Sequence, residues 1–460
     1  MALSFKQRIF PYLVVVTGIM LTLGPLALAF SCAGIFYTPV SEALGTSKGA
    51  FALYMTFLYI TMTVSLPFFG KIMERCDLRI VLTAASLLVG MPMIAMSQFN
   101  ALWQFYIAGA IMGLGSAPIT YLAVATLINR WFEKRVGFFV GICMAFSGIG
   151  GVIFNPIGGV IIASGPDGWR LGYLVFGIIM LVMTLPFTLF GIRSYPSAIG
   201  IAPVGSPEWE RAVRDEGTVN EREASKEMSA LSQEHASEVA SEQEKERGQK
   251  QQVSTSRWGV SSKESKRMPS FYALLIYAFC VTTMLMFYMY FPSYATSLAD
   301  TFPKTAALAA VLASFCMAGQ AIGKVLLGII GDRNVLVGHC VTVVCGIAGV
   351  VILWQFPGVI PLFLAAGFLY GILYASETVQ MPLMARTVFG TMEYSTIYSR
   401  VSAASSLSGI VFASTWGFII DGAGYDLTFI LALTIIVILF VSGLFGLKAK
   451  NRRFGKQADN

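Results

Sequence analysis

The feature that most limits how this chain can fold is an apolar run that keeps returning. Stretches of eighteen or more apolar residues recur along almost its whole length. Each is long enough to cross a bilayer as a helix, one of the two structures that satisfy every backbone polar group in lipid. Punctuation by Gly, Pro and charge divides the runs into twelve spans. They lie near 11–34, 49–69, 79–98, 102–128, 136–163, 171–191, 271–293, 305–330, 336–355, 358–385, 395–420 and 426–447. Only 12% of the 460 residues are charged, against roughly 25% in soluble domains. The expected fold is all-α: a polytopic membrane protein of twelve transmembrane helices.

The formal net charge of +7 would suggest nucleic acid if the charges formed a patch, but they sit at span ends on one side. Lys71, Arg75 and Arg79 follow span two; Arg130, Lys134 and Arg135 follow span four. Arg333 follows span eight, Arg386 follows span ten, and the tail reads "KAKNRRFGK". The opposite loops hold only Lys48, Arg170 and Lys304. By the positive-inside rule both termini are expected in the cytoplasm, with no nucleic-acid partner. Lys6 and Arg8 lead straight into a first span long enough to stay in the bilayer, so no cleaved leader is expected. The seven cysteines show no CxxC spacing, and His235 and His339 stand apart. No metal, cofactor or catalytic pair is expected.

Between spans six and seven runs "ERAVRDEGTVNEREASKEMSALSQEHASEVASEQEKERGQKQQ", with almost no large apolar residue. Such a composition cannot bury enough surface to offset the entropy of ordering it. The expected organisation is a six-helix bundle over 1–192, a largely disordered cytoplasmic linker over 193–268, a second six-helix bundle over 269–447 and a basic tail over 448–460. The halves echo each other. "GKIMERCDLR" follows span two and "GIIGDRNVLVG" follows span eight, each with a glycine, an acid four residues later and an arginine next. These are Gly70, Glu74 and Arg75, then Gly328, Asp332 and Arg333. A repeated turn at the same place points to two related bundles.

At these residues the sequence resembles the major facilitator superfamily, with Glu74 standing where the loop motif usually has aspartate. It further resembles the oxalate/formate antiporter and monocarboxylate transporter branch. The likeness rests on "NRWFEKRVGFFVGICMAFSGIGG", "NPIGGVIIASGPDGWR", "YPSAIGIAPVG" and "GKVLLGIIGD". It departs from the branch in two ways. Lys324 stands where arginine is usual, and span eleven lacks the second basic residue of oxalate exchangers, offering only Arg400 near its end. The resemblance therefore implies a monomeric carrier for a small carboxylate held by one cation, with Tyr121 and Lys324 as carboxylate contacts.

Away from span ends, two ionisable residues remain: Lys324 in span eight and Glu377 in span ten. A charge at mid-bilayer costs roughly 2.5–3.5 kcal/mol on insertion scales, so each is expected to face a cavity or a partner. Lys324 lies eight residues before Asp332 and Glu377 nine before Arg386, placing them at similar depth in parallel helices, able to pair. Gln320 shares the Lys324 face; Tyr370, Tyr374 and Glu377 form a stripe; Asn155 and Tyr288 add polar groups. Each also has a structural reading. The charges would be a helix-gluing ion pair, the tyrosines packing residues, Tyr288 part of an interfacial belt, and Asn155 a cap before Pro156.

As a mechanism, an incoming carboxylate would take the ammonium from Glu377, which then takes up a proton, coupling anion movement to H⁺. Without that proton the same residues favour carboxylate exchange. A proton-driven drug exporter and a non-transporting sensor are the remaining readings; Lys324 would repel a cationic drug.

Overall fold

The computed structural model describes residues 5–212, 259–390 and 393–448. Eleven helices among them are long and apolar enough to cross a membrane. The last, Thr396–Lys448, has 53 residues and would run about 80 Å if straight, more than twice the roughly 30 Å hydrocarbon core. It is broken at Gly424, whose φ of 79° and ψ of 179° only glycine adopts without strain. That turn yields spans eleven and twelve, so the expected twelve crossings are present.

The spans form two bundles on one plan. Gly70 and Gly328 are 258 residues apart, and the same shift carries the start of span four, Leu102, onto that of span ten, Ile360. It also carries the start of span five, Val136, onto that of span eleven, Tyr394. In the first bundle span two packs on four and span three on four and six; in the second, span eight packs on ten, nine on ten and seven on eleven. Between bundles, span two (Lys48–Arg75) meets span eleven and span five (Val136–Ile162) meets span eight (Ala309–Arg333). Outward faces are apolar: Ile80, Phe190 and Val160 are 70%, 72% and 74% exposed. In water such a surface would aggregate; in lipid it is the solvated face.

Four spans are not continuous α-helix. Span one widens over Thr22–Ser31 and tightens over Ala33–Phe36, and span seven breaks between Tyr288 and Phe291. Span four widens over Pro118–Ala123. Proline has no N–H for the preceding turn, so Pro25 and Pro118 loosen the helix where they stand. Span ten splits into Ile360–Ala375 and Gln380–Phe389, with a turn over 376–379. There the Ser376 hydroxyl donates to Leu373 O at 2.6 Å and the Thr378 hydroxyl to Ala375 O at 3.3 Å. These hydroxyls occupy carbonyls that a continuing helix would have used.

At the end rich in Lys and Arg, hereafter the basic end, the chain leaving span six and the chain entering span seven are each fixed to their own bundle. Gln7 Nε2 donates to Ile199 O at 2.8 Å, and Val204 forms a bridge with Phe132. On the other side Gly259 bridges Gly390, Val260 N donates to Phe389 O at 3.0 Å, and Ser262 N to the Glu393 carboxylate at 2.8 Å. Arg400 donates to Ser262 O at 3.2 Å and also bonds its hydroxyl. Phe132 and Gly390 are again 258 residues apart, so both anchors use the same place in the repeat.

Candidate functional site

Lys324 projects from span eight across the seam between the bundles. Its ammonium donates to Met144 O and to Ser147 Oγ on span five, both at 3.2 Å. Ser147 Oγ in turn donates to Met144 O at 2.9 Å. Half-buried Lys324 thus sits among neutral oxygens, and no carboxylate within ion-pair reach of it is found among the described residues. Glu377 is also half-buried and accepts from the Thr282 hydroxyl of span seven at 2.9 Å. The two charges lie close enough to feel each other's field.

The direct Lys324–Glu377 pair expected from matched depth is therefore replaced by two separate anchorages. Depth counting assumed a straight span ten, whereas Glu377 lies in the 376–379 turn. The same break takes Glu377 off the Tyr370–Tyr374 stripe. Tyr370 is fully buried with its hydroxyl spent on Met284 O at 2.5 Å, so here it packs span ten against span seven. Tyr374, at the end of the intact segment, packs edge-on against Tyr288 with ring centroids 5.5 Å apart. Tyr288 donates to Ser31 O of span one at 2.7 Å, joining the two bundles. Asn155 donates to Gly151 O at 2.8 Å and, at 3.5 Å, to Ser31 O and the Tyr288 hydroxyl. Its Oδ1 has no partner. Asn155 thus belongs to the Tyr288 junction.

Gln320 is buried with its Oε1 unpartnered and faces span five: a Cβ on Gly148 would stand 2.7 Å from that oxygen. The side chains of Tyr121, Glu74 and Asp332, and Gly70 beyond its helical backbone, lie outside the described residues; Arg75 and Arg333 are exposed at the ends of spans two and eight. The backbone of Tyr121 falls in the widened turn Pro118–Ala123, which the 258-residue shift maps onto the Glu377 turn. Reading the sequence missed Ser147, Thr282 and the Met144 carbonyl. A small hydroxyl beside the glycines of "AFSGIGG" was the available signal for Ser147; a carbonyl gives none.

The seam is closed away from the basic end. There Thr38 bonds Ser293 at 2.8 Å, Gly49 N donates to the Asp421 carboxylate at 2.9 Å, and Thr56 meets Ser414 at 3.1 Å. A Cβ on Gly417 would lie 2.6 Å from Gly49 Cα, so the helices touch backbone to backbone. A cavity of about 610 Å³ also lies at this outer end, lined by Gly34, Ile35, Pro156, Gly159, Pro292 and Ala310 among others. Its only ionisable lining residue is Glu42, which is exposed, and it offers an anion no counter-charge. Lys324 is the better focus for one.

Comparison with known proteins gives the same architecture. The description of the Major Facilitator Superfamily matches residues 19–337 and 281–459. The chain is 27% identical over 177 residues to "Glucose-6-phosphate exchanger SLC37A2" of Xenopus laevis, covering 37% of this chain and 33% of that protein. It is 32% identical over 177 residues to "Multidrug resistance protein MdtG" of Escherichia coli, covering 36% and 41%. These matches thus span about a third to two fifths of the curated relatives' length. Among solved structures, a bacterial homolog of the human lysosomal transporter Spinster aligns with a TM-score of 0.63 at 14% identity, over 97% of this chain and 98% of that one. The nucleoside transporter NupG aligns with a TM-score of 0.64 at 9% identity, over 95% and 99%. At such identities the likeness is one of fold.

Proposed function

The chain belongs to the Major Facilitator Superfamily, and on that premise we propose that it is a secondary transporter for a small organic monoanion, a monocarboxylate, working by alternating access. One observation carries the reading. A lysine stands between the two bundles, half-buried, held by neutral oxygens and with no bonded carboxylate among the described residues. A desolvated cation in that position selects for negative charge, and neighbouring polar groups orient what it binds. In this reading Lys324 is the counter-charge, Gln320 lies one turn away on the same helix, and Tyr374 and Tyr121 are further carboxylate contacts. Asn155 and Tyr288 close the far wall, with Tyr370 behind it. A single ammonium suits one carboxylate, because it is a point charge without the planar fork that grips a second oxygen pair.

Glu377 is the proton carrier in this scheme. An anion arriving beside Lys324 competes for the ammonium's field, and Glu377 takes up a proton in exchange, which couples anion movement to H⁺. The repeated loop motif, with Gly70, Glu74 and Arg75 matching Gly328, Asp332 and Arg333, marks the ends that part as the bundles rock. The basic end faces the cytoplasm, by the positive-inside rule, and the compact form and the likeness to the oxalate/formate branch suggest a bacterial cell.

A second reading draws on the similarity to a sugar-phosphate exchanger: obligatory exchange of anions with no proton. Both readings predict saturable counterflow of a labelled carboxylate in proteoliposomes, and a higher melting temperature with the right member of a panel from formate to aromatic acids. They part at Glu377→Gln. Proton-coupled uptake should fall about tenfold, with internal acidification lost, while counterflow persists. Full acidification in that variant rules out Glu377 as carrier, and absence of counterflow for every carboxylate rules out the anion assignment.

A further inference from the structure

Spans five and eight form one seam, and its hydrogen bonds among the described residues are those of Lys324. From the outer end inward, Gly159 lies against Ala310, Gly151 against Met317 and Gly148 against Gln320. Next come the two bonds from the ammonium to Met144 O and Ser147 Oγ. Farther toward the basic end the same faces carry Gly141 and Gly328, and a Cβ on either would meet nothing within 4 Å. The ammonium is therefore the innermost tie of this seam among the described residues, at the point where the bundles begin to part.

An ammonium has three N–H donors, and two of them are committed to the opposite bundle. Both bonds have an ionised donor, but neutral oxygens carry no counter-charge, so a carboxylate is the stronger acceptor for the ammonium. Accepting the anion-site reading of Lys324, on which this rests, we propose that Ser147 and the Met144 carbonyl are a stand-in for the ligand. They hold the ammonium while the carrier is empty and are displaced by the incoming carboxylate. Taking up the anion and untying the seam are then one event. Ser147 acts as a positioning residue, through Lys324, and the stand-in explains how the cation is tolerated with no carboxylate bonded to it. It also places recognition of the anion's charge in one bundle and its competitor in the other, so that rocking changes the balance between them.

Ser147→Ala removes one acceptor with little change of volume, and Ser147→Thr restores a hydroxyl. The probe is an equimolar mixture of formate, acetate, lactate and pyruvate, read by thermal shift on the full chain. Losing the competing bond should lower the half-saturating concentration about three- to tenfold in the alanine variant and return it in the threonine variant. A second measurement needs no ligand. Spin labels on Gly141→Cys and Gly328→Cys, with Cys76, Cys340 and Cys345 changed to Ser, report the width of the mouth. Ser147→Ala should move or broaden that distance distribution in the empty protein, and Ser147→Thr should restore it. Wild-type stabilisation by the mixture, with both readouts unchanged in Ser147→Ala, overturns the stand-in role. A wild type that no member of the mixture stabilises overturns the anion-site reading instead, a result separate from the Ser147 comparison.

Discussion

The two bundles place equivalent helices 258 residues apart, yet the equivalent positions carry different chemistry. Where the second bundle has Lys324, Glu377 and Gln320, the first has Leu66, Ile119 and Met62. The seams, in contrast, are shared. Gly151 lies against Met317 in one and Gly409 against Tyr59 in the other, and each residue of the first pair maps onto one of the second. Close packing was kept in both copies while charge stayed in one. Across the seam a cation of the second bundle faces backbone and hydroxyl oxygens of the first.

The sharpest way to break this comparison is to move the charge. Lys324→Ala should cost about 2 kcal/mol or more in ligand affinity, about thirtyfold in the half-saturating concentration for uptake. Adding Leu66→Lys should not restore it, because the first bundle has Ile119, not a carboxylate, at the place equivalent to Glu377. Recovery of uptake in the double variant would show the halves to be interchangeable. A smaller effect tests the shared seams. Gly151→Leu and Gly409→Leu should each destabilise the fold by about 1–3 kcal/mol, measured by thermal unfolding in detergent. The Gly409 variant should suffer more, since Tyr59 is rigid where Met317 is adaptable. Equal losses would mean that the helices separate instead of repacking.

The smallest effect lies at the starts of spans three and nine. Asp77 caps span three, accepting from Arg79 N at 3.0 Å and from the Ser194 hydroxyl at 2.9 Å. Asn334 caps span nine, accepting from Leu336 N at 3.0 Å. Partial burial pushes the Asp77 carboxyl upward, but the Arg79 N–H and Ser194 bonds outweigh it and hold the group below its usual range. A carboxylate whose folded pKa is depressed contributes stability above its unfolded pKa and loses it as the pH falls through the folded one. The first bundle should therefore carry a small acid-side loss of stability that Asp77→Asn removes; the Asn334 cap has no such dependence. Hydrogen exchange at the start of span three, followed on acidification, checks this. Identical acid sensitivity in both variants would remove Asp77 as its source.

Much of this was legible in the residues. Twelve apolar runs with charged turns specify twelve helices because lipid leaves the backbone few alternatives, and Lys324 was conspicuous because a charge in such a run has few innocent explanations. The break at 376–379 was not legible: "SETV" contains neither glycine nor proline, and hydroxyl bonds like those of Ser376 and Thr378 also occur inside the intact helices. Pro118 did announce the matching irregularity in span four. The partner of Lys324 was hidden for a different reason. Every residue has a carbonyl, and only the crossing of two helices decides which one an ammonium reaches. Tyr370 illustrates the converse, since its place on a stripe was correct but its hydroxyl was already spent on Met284.

The anchoring of the chain at Val204 and Val260 has a practical consequence. Each point is stitched to a different bundle, at matching places at the basic end. Whatever motion the bundles make must therefore appear as a change in the separation of these two points. A donor–acceptor dye pair placed there would act as a strain gauge, reporting each cycle of the carrier in real time without touching the residues that handle its cargo.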